Sequence, residues 1–205
     1  MRYNTIYNDP VTRSRIIYPW VYWDNFLTDD EINSIISHCE SLDKTFATTF
    51  GSKSEEDTRK HRVSDVCFVN RNDDTAWIYD KLNFVIQAAN EMYYNFDLNG
   101  YNTFQYTTYN SEDTGRYDWH TDMSFGGHFT DDVEMRKLSV TLNLNDDYEG
   151  GEFQINTGKE SEPITCQTKK GRAIMFPSFM VHRVAPVTKG IRKSIVIWVV
   201  GPKFR

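Results

Sequence analysis

Three side chains of this sequence have the types and spacing of a divalent-metal site. His120-Thr121-Asp122 puts an imidazole and a carboxylate two residues apart, and on a strand or at its end residues i and i+2 face the same way. Five His and eighteen Asp in the chain give roughly 0.4 such pairs by chance, so the pair alone decides nothing. His182 lies in Phe176-Pro177-Ser178-Phe179-Met180-Val181-His182-Arg183-Val184, an apolar run read as a strand that ends on the histidine before turning at Pro186 and Gly190. Two His and one carboxylate form the facial triad of a non-haem Fe(II) centre with open positions. Zinc accepts the same donors, so ligand identity leaves the metal open.

Arg192 is the fourth group, ten residues after His182. It is expected on the strand returning antiparallel to that of His182, about 5 Å away, where its guanidinium can clamp a carboxylate whose other end chelates the metal. Arg192, Ser194, Val196 and Trp198 share one face of that strand, and Lys193, Ile195, Ile197 and Val199 share the other.

These residues need a scaffold. The chain has 205 residues, which suits one domain with a core large enough to fold without disulfides or structural metal. Thr28-Asp29-Asp30-Glu31 reads as a capping box ahead of Ile32, Ile35, Ile36, Cys39 and Leu42 at helical spacing. A second helix is predicted from Asp74 to Asn95, with Trp77, Ile78, Leu82, Val85, Ile86, Ala89 and Met92 on one stripe. Residues 1–20 read as an arm, and Lys44 to Arg62 as a mobile polar loop. After Gly100, strands are predicted at Tyr101–Tyr109, Leu138–Leu144, Glu152–Ile155, Ile164–Thr168, Ala173–Phe176 and Lys193–Val199, separated by glycine turns. Helices followed by strands indicate an α+β fold, with helices packed on one face of a sandwich or barrel. Leu138, Val140, Leu142 and Leu144 alternate with Ser139, Thr141, Asn143 and Asn145, so the polar face meets either solvent or the inside of a barrel.

Composition excludes several classes. Lys and Arg total 23 against 29 Asp and Glu, a net charge of −6, which opposes nucleic-acid binding. No apolar run reaches the 18 or so residues of a membrane span, and Met1-Arg2-Tyr3-Asn4 lacks an apolar signal core. Cys39, Cys67 and Cys166 form no CxxC pair, which points to free thiols in a reducing cytoplasm.

His120-x-Asp122, His182 and Arg192 together resemble the site of the iron- and 2-oxoglutarate-dependent dioxygenases, within them the prolyl 4-hydroxylase-like and PKHD-type hydroxylase branch. The resemblance covers roughly residues 20–200 and includes Tyr117-Asp118-Trp119-His120-Thr121-Asp122, Leu138 to Leu144, Tyr148-Glu149-Gly150-Gly151-Glu152-Phe153, and Phe176-Pro177-Ser178 ahead of His182-Arg183-Val184. It implies a double-stranded β-helix, a cupin-like jelly roll, as residues 99–205 of a single domain spanning 1–205, with the arm, helices and mobile loop in 1–98. It implies Fe(II) on His120, Asp122 and His182, and 2-oxoglutarate on Arg192, Tyr109, Ser139 and Ser194, which favours the lined-barrel reading of the polar face. O2 would be the second cosubstrate and ascorbate the reductant. The resemblance further implies hydroxylation of an unactivated C–H, with release of succinate and CO2; the intact Asp122 favours this over halogenation. The expected substrate is a prolyl residue of a peptide or protein contacted by Arg62, Tyr117 and Trp198. A free amino acid or small metabolite is the alternative, and a non-catalytic or zinc-loaded jelly-roll module the reading from another class. The 44–62 segment and the Gly126-Gly127 loop are expected as lids, and His128 as a loop residue.

Overall fold

The computed structural model describes residues 18–49, 51–123, 134–159 and 161–203; the Gly126-Gly127 loop and His128 lie outside them. The first half of the chain runs β1 (Val21–Trp23), α1 (Asp29–Glu40), β2 (Thr45–Phe46), α2 (Glu55–Arg59), β3 (Arg62–Val63), β4 (Asp65–Asn70) and α3 (Ala76–Ala89). The second half runs β5 (Thr103–Asn110), β6 (Arg116–His120), β7 (Met135–Asn143), β8 (Glu149–Gly150), β9 (Phe153–Asn156), β10 (Ile164–Cys166), β11 (Ala173–Pro177), β12 (Val181–Val184), β13 (Val187–Lys189) and β14 (Ile191–Gly201). A seven-stranded sheet, β1-β11-β7-β14-β5-β4-β2, faces a five-stranded sheet, β10-β9-β12-β6-β3, with antiparallel pairing throughout. This is the α+β double-stranded β-helix architecture.

The alternating pattern of β7 continues through its neighbours. Leu138, Val140 and Leu142 of β7, Ile195, Ile197 and Val199 of β14, and Phe104 and Tyr106 of β5 lie on the outer face. There they bury Ile32, Ile35 and Cys39 of α1 and Ile78, Leu82, Val85, Ile86 and Ala89 of α3. The polar face, with Ser139, Thr141 and Asn143 buried, looks toward the five-stranded sheet. The lining reading holds, and solvent exposure of that face does not.

The helix starts follow local chemistry. The Thr28 hydroxyl accepts from the Glu31 N–H at 3.2 Å, and the Glu31 carboxylate accepts from the Thr28 N–H at 2.8 Å. The second predicted helix begins at Ala76 and is α-helical only to Ala89. It then widens into a π-turn over Asn90–Tyr94, closed by Asn95 at φ 52°. A wider turn shifts the phase of the apolar stripe, and Met92, expected inside, is 63% exposed.

Two further expectations change. The 44–62 segment is not a plain loop but holds β2, α2 and the start of β3; Ser54 caps α2 by accepting from the Asp57 N–H at 3.1 Å. The run around His182 is two strands, because Met180 donates to the Pro177 carbonyl at 2.9 Å and turns β11 into β12. All three cysteines are buried free thiols.

Leu142→Ala removes a fully buried contact between β7 and the helices. It is expected to lower the unfolding free energy by about 2–5 kcal/mol in urea titrations. A loss below about 1 kcal/mol would mean that the helices do not close on this face.

Candidate metal centre and carboxylate clamp

His182 of β12 and His120 of β6 are direct cross-strand partners, so their rings project from the same face with centroids 4.2 Å apart. The chain leaves β6 after His120, and the N–H groups of Asp122 and Met123 both donate to the Ser178 carbonyl at 3.0 Å. The Phe-Pro-Ser segment thus pins the loop that carries the carboxylate. His120 Nε2 lies 3.8 Å from Asp122 Oδ1, and His182 Nε2 lies 3.5 Å from Asp122 Oδ2. One donor atom from each of the three residues falls within 4.8 Å of the others, a group able to hold a metal ion.

The opposite ring nitrogens fix the tautomers. His120 Nδ1 donates to the Asp118 carbonyl at 2.7 Å and His182 Nδ1 to the Met180 carbonyl at 2.9 Å. A carbonyl only accepts, so each neutral ring keeps the Nε2 lone pair for the centre. Burial, then the charge of His182, pushes the pKa of His120 down to about 3. Burial would raise the pKa of Asp122, but the two imidazoles outweigh it and hold the carboxyl below its usual range. A carboxylate and a neutral imidazole are the forms that bind a divalent cation.

Across the barrel, Arg192 is 1% exposed. Its Nη1 donates to Ser194 Oγ at 3.0 Å, and its Nε and Nη2 are buried with no hydrogen-bond partner. A buried guanidinium without a counter-charge is costly, and a bidentate anion such as a carboxylate satisfies it. Arg192 and His182 are not on neighbouring strands, as the spacing suggested. β14 pairs with β5 and β7 in the larger sheet and β12 with β6 and β9 in the smaller, because β13 intervenes and pairs with β8. The clamp therefore faces the triad across the cavity.

The Gly150-Gly151 turn makes room for this arginine. Gly151 sits at φ +66°, and a Cβ there would come within 3.0 Å of Arg192 Cδ and 2.9 Å of Val187 Cγ2. Tyr109 pairs with Arg192 across β5 and β14, and the guanidinium lies 5.6 Å from its ring centroid. Ser194 is spent on Arg192 itself. Ser139 bonds the Ser178 hydroxyl at 2.8 Å, which brings it beside the Asp122 loop.

All three residues expected to meet substrate line the same cavity. Tyr117 stacks on His120 with centroids 3.5 Å apart, and burial pushes its phenol up to about 12, so it stays an O–H donor. Arg62 is 5% exposed and lies 4.6 Å over the Tyr117 ring, with Nε on Ser64 Oγ at 2.9 Å. It is not the solvated charge that a polar loop would carry. Trp198 has Arg136 stacked on its ring at 4.1 Å. Sequence reasoning missed Gln105, which lines the cavity, although Tyr109, Thr107 and Gln105 share its period of two. It also missed Arg136 and Ser178, for which no periodic signal existed.

The profile of the 2OG-Fe(II) oxygenase superfamily matches residues 104–200, a span that holds His120, Asp122, His182 and Arg192. Over that span, just under half of its length, the chain is similar to the 2OG-Fe(II) oxygenase superfamily. Among curated members of known name, a PKHD-type hydroxylase of Synechococcus sp. (strain CC9311) is 41% identical over 91 residues, covering 43% of this chain and 38% of that protein. The first three relatives are matched over only 31% to 38% of their own length. A prolyl-4-hydroxylase from Pseudomonas putida superposes on this fold with TM-score 0.67 at 18% identity, covering 90% of this chain and 94% of that one. A Trichoplax adhaerens prolyl hydroxylase, solved with a peptide fragment of the hypoxia inducible factor oxygen degradation domain, gives 0.69 at 16% identity over 88% and 83%. At such identities these likenesses establish the fold. Among the described residues, no helix is long and apolar enough to cross a membrane.

Two outcomes test this geometry. The imidazole of His120 in the metal-free chain is expected to show no protonation between pH 8 and 5 by NMR; a midpoint near 6.5 would contradict the packed site. By the same shift, the unfolded state takes up a proton that the folded state refuses, so stability falls as the pH drops from 6.5 toward 3. Gly151→Ala is expected to displace Arg192 and weaken 2-oxoglutarate binding at least tenfold by calorimetry, and unchanged affinity would remove the turn from the clamp.

Proposed function

We propose that this chain is an Fe(II)- and 2-oxoglutarate-dependent hydroxylase acting on a prolyl residue of a peptide or protein. The observation that carries the reading is the pairing of a neutral-imidazole and carboxylate triad with a buried guanidinium whose Nε and Nη2 lack an acceptor. His120, Asp122 and His182 would hold Fe(II), and Arg192 would bind the distal carboxylate of 2-oxoglutarate, with Tyr109 on the same wall. Bound together with O2, the two supply the oxidising chemistry, in which 2-oxoglutarate leaves as succinate and CO2 and a substrate C–H becomes C–OH.

The protein contributes position and exclusion of water. Asp118 and Met180 carbonyls orient the imidazoles, Ser178 fixes the carboxylate loop, and Ser194 aims the guanidinium. At the cavity wall, the Tyr117 hydroxyl and the Arg62 guanidinium are donors suited to peptide carbonyls, and the Trp198 ring is an apolar wall suited to a pyrrolidine. Likeness to a prolyl hydroxylase solved with a peptide supports the same substrate class.

The assay is succinate formation from 2-oxoglutarate with Fe(II) and ascorbate, with and without proline-containing peptides. Turnover is expected to vanish on chelation and to rise with a suitable peptide. Asp122→Ala is expected to abolish it. Arg192→Ala is expected to raise the 2-oxoglutarate requirement some 30-fold or more, since losing a clamped carboxylate contact costs roughly 2–5 kcal/mol. Wild-type turnover in Asp122→Ala would overturn the metal assignment.

A further inference from the structure

At the triad, two buried polar atoms make no hydrogen bond, one oxygen of Asp122 (Oδ2) and the indole Nε1 of Trp198. Several contacts bring their residues to one corner of the cavity. Trp198 of β14 pairs with Ser139 of β7, the Ser139 hydroxyl meets that of Ser178 at 2.8 Å, and the Ser178 carbonyl holds the Asp122 N–H at 3.0 Å. From the other side, Arg136 covers the Trp198 ring at 4.1 Å and donates from Nη1 to the Asp122 carbonyl at 3.3 Å.

We infer that Trp198 is a positioning residue for the metal ligand Asp122: with metal in place, one carboxylate oxygen takes the ion and the other accepts the Trp198 indole N–H. The inference rests on the metal reading above and assigns the indole N–H to the protein rather than to substrate. A carboxylate has lone pairs for both partners, and a buried indole N–H ordinarily finds an acceptor. Held in this way, Asp122 presents a single oxygen, which keeps further positions at the metal open. Arg136 holds both members of the pair, stacking on the ring and bonding the backbone of the carboxylate.

The test uses the full chain and Co(II) alone as the probe. Trp198→Phe keeps an aromatic ring and removes the donor. Loss of an outer partner of a metal ligand typically weakens affinity by about 10–100-fold, so the Co(II) dissociation constant is expected to rise at least tenfold. The visible Co(II) bands are expected to shift, a change that altered packing alone would not produce. Wild-type affinity and spectrum in Trp198→Phe would overturn the inference while leaving the metal site intact. A wild-type chain that binds no Co(II) would instead overturn the metal reading itself. Should the variant fail to fold, the indole N–H signals of the wild-type chain decide. The signal most broadened by Co(II) is expected to move downfield when Zn(II) is added, and a signal that stays in place would contradict the pairing.

Discussion

Three neighbouring strands, β5, β14 and β7, must satisfy two environments with one register. Their outward residues close on α1 and α3, and their inward residues carry Tyr109, Arg192, Ser194 and Ser139 into the cavity. Because side chains alternate, a slip of one residue would exchange the two sets. Arg192 would then lie among the leucines and isoleucines under the helices, and Ile195 would face the triad. Burial of that apolar face therefore fixes the chemistry of the other one, and the metal centre inherits its precision from the helix contacts behind it.

The second constraint is electrostatic. The cavity holds a cationic clamp, a carboxylate and two imidazoles, and its interior supplies few acceptors for the clamp. Such a site is stable as a protein only at a cost, since Arg192 keeps two donors unanswered. The same deficit makes it selective: a cation satisfies the triad and an anion satisfies the arginine, so each completes a different half of the cavity. Gly151 belongs to this design, because a Cβ there would press on the Arg192 side chain at Cδ.

Much of this was legible in the residues themselves. Period-two alternation gave the two faces of β7 and β14, and the Thr28 to Glu31 box marked the start of α1. The triad and clamp could be named from types and spacing, but not their mutual placement, since sequence distance does not say that β13 peels away and puts Arg192 in the opposite sheet. Residues 44–62 carry too few apolar side chains to signal β2 and α2, whose order comes from Ser54 capping and from packing of Thr58 and Arg62. Met92 left the predicted stripe because the helix widens into a π-turn closed locally by left-handed Asn95 on the Asn90 carbonyl, which periodicity does not signal. Arg136 was invisible for a related reason: a bulge between Val199 and Val200 sets its register against β14.

The most direct test of the account is calorimetric titration of 2-oxoglutarate into the chain, with Zn(II) as a redox-inert metal, compared with the metal-free chain and with Arg192→Met. The account predicts tight binding only when both metal and Arg192 are present, with either loss weakening it at least tenfold. Equal affinity without metal, or no binding in any form, would contradict a cavity built from a triad and a clamp.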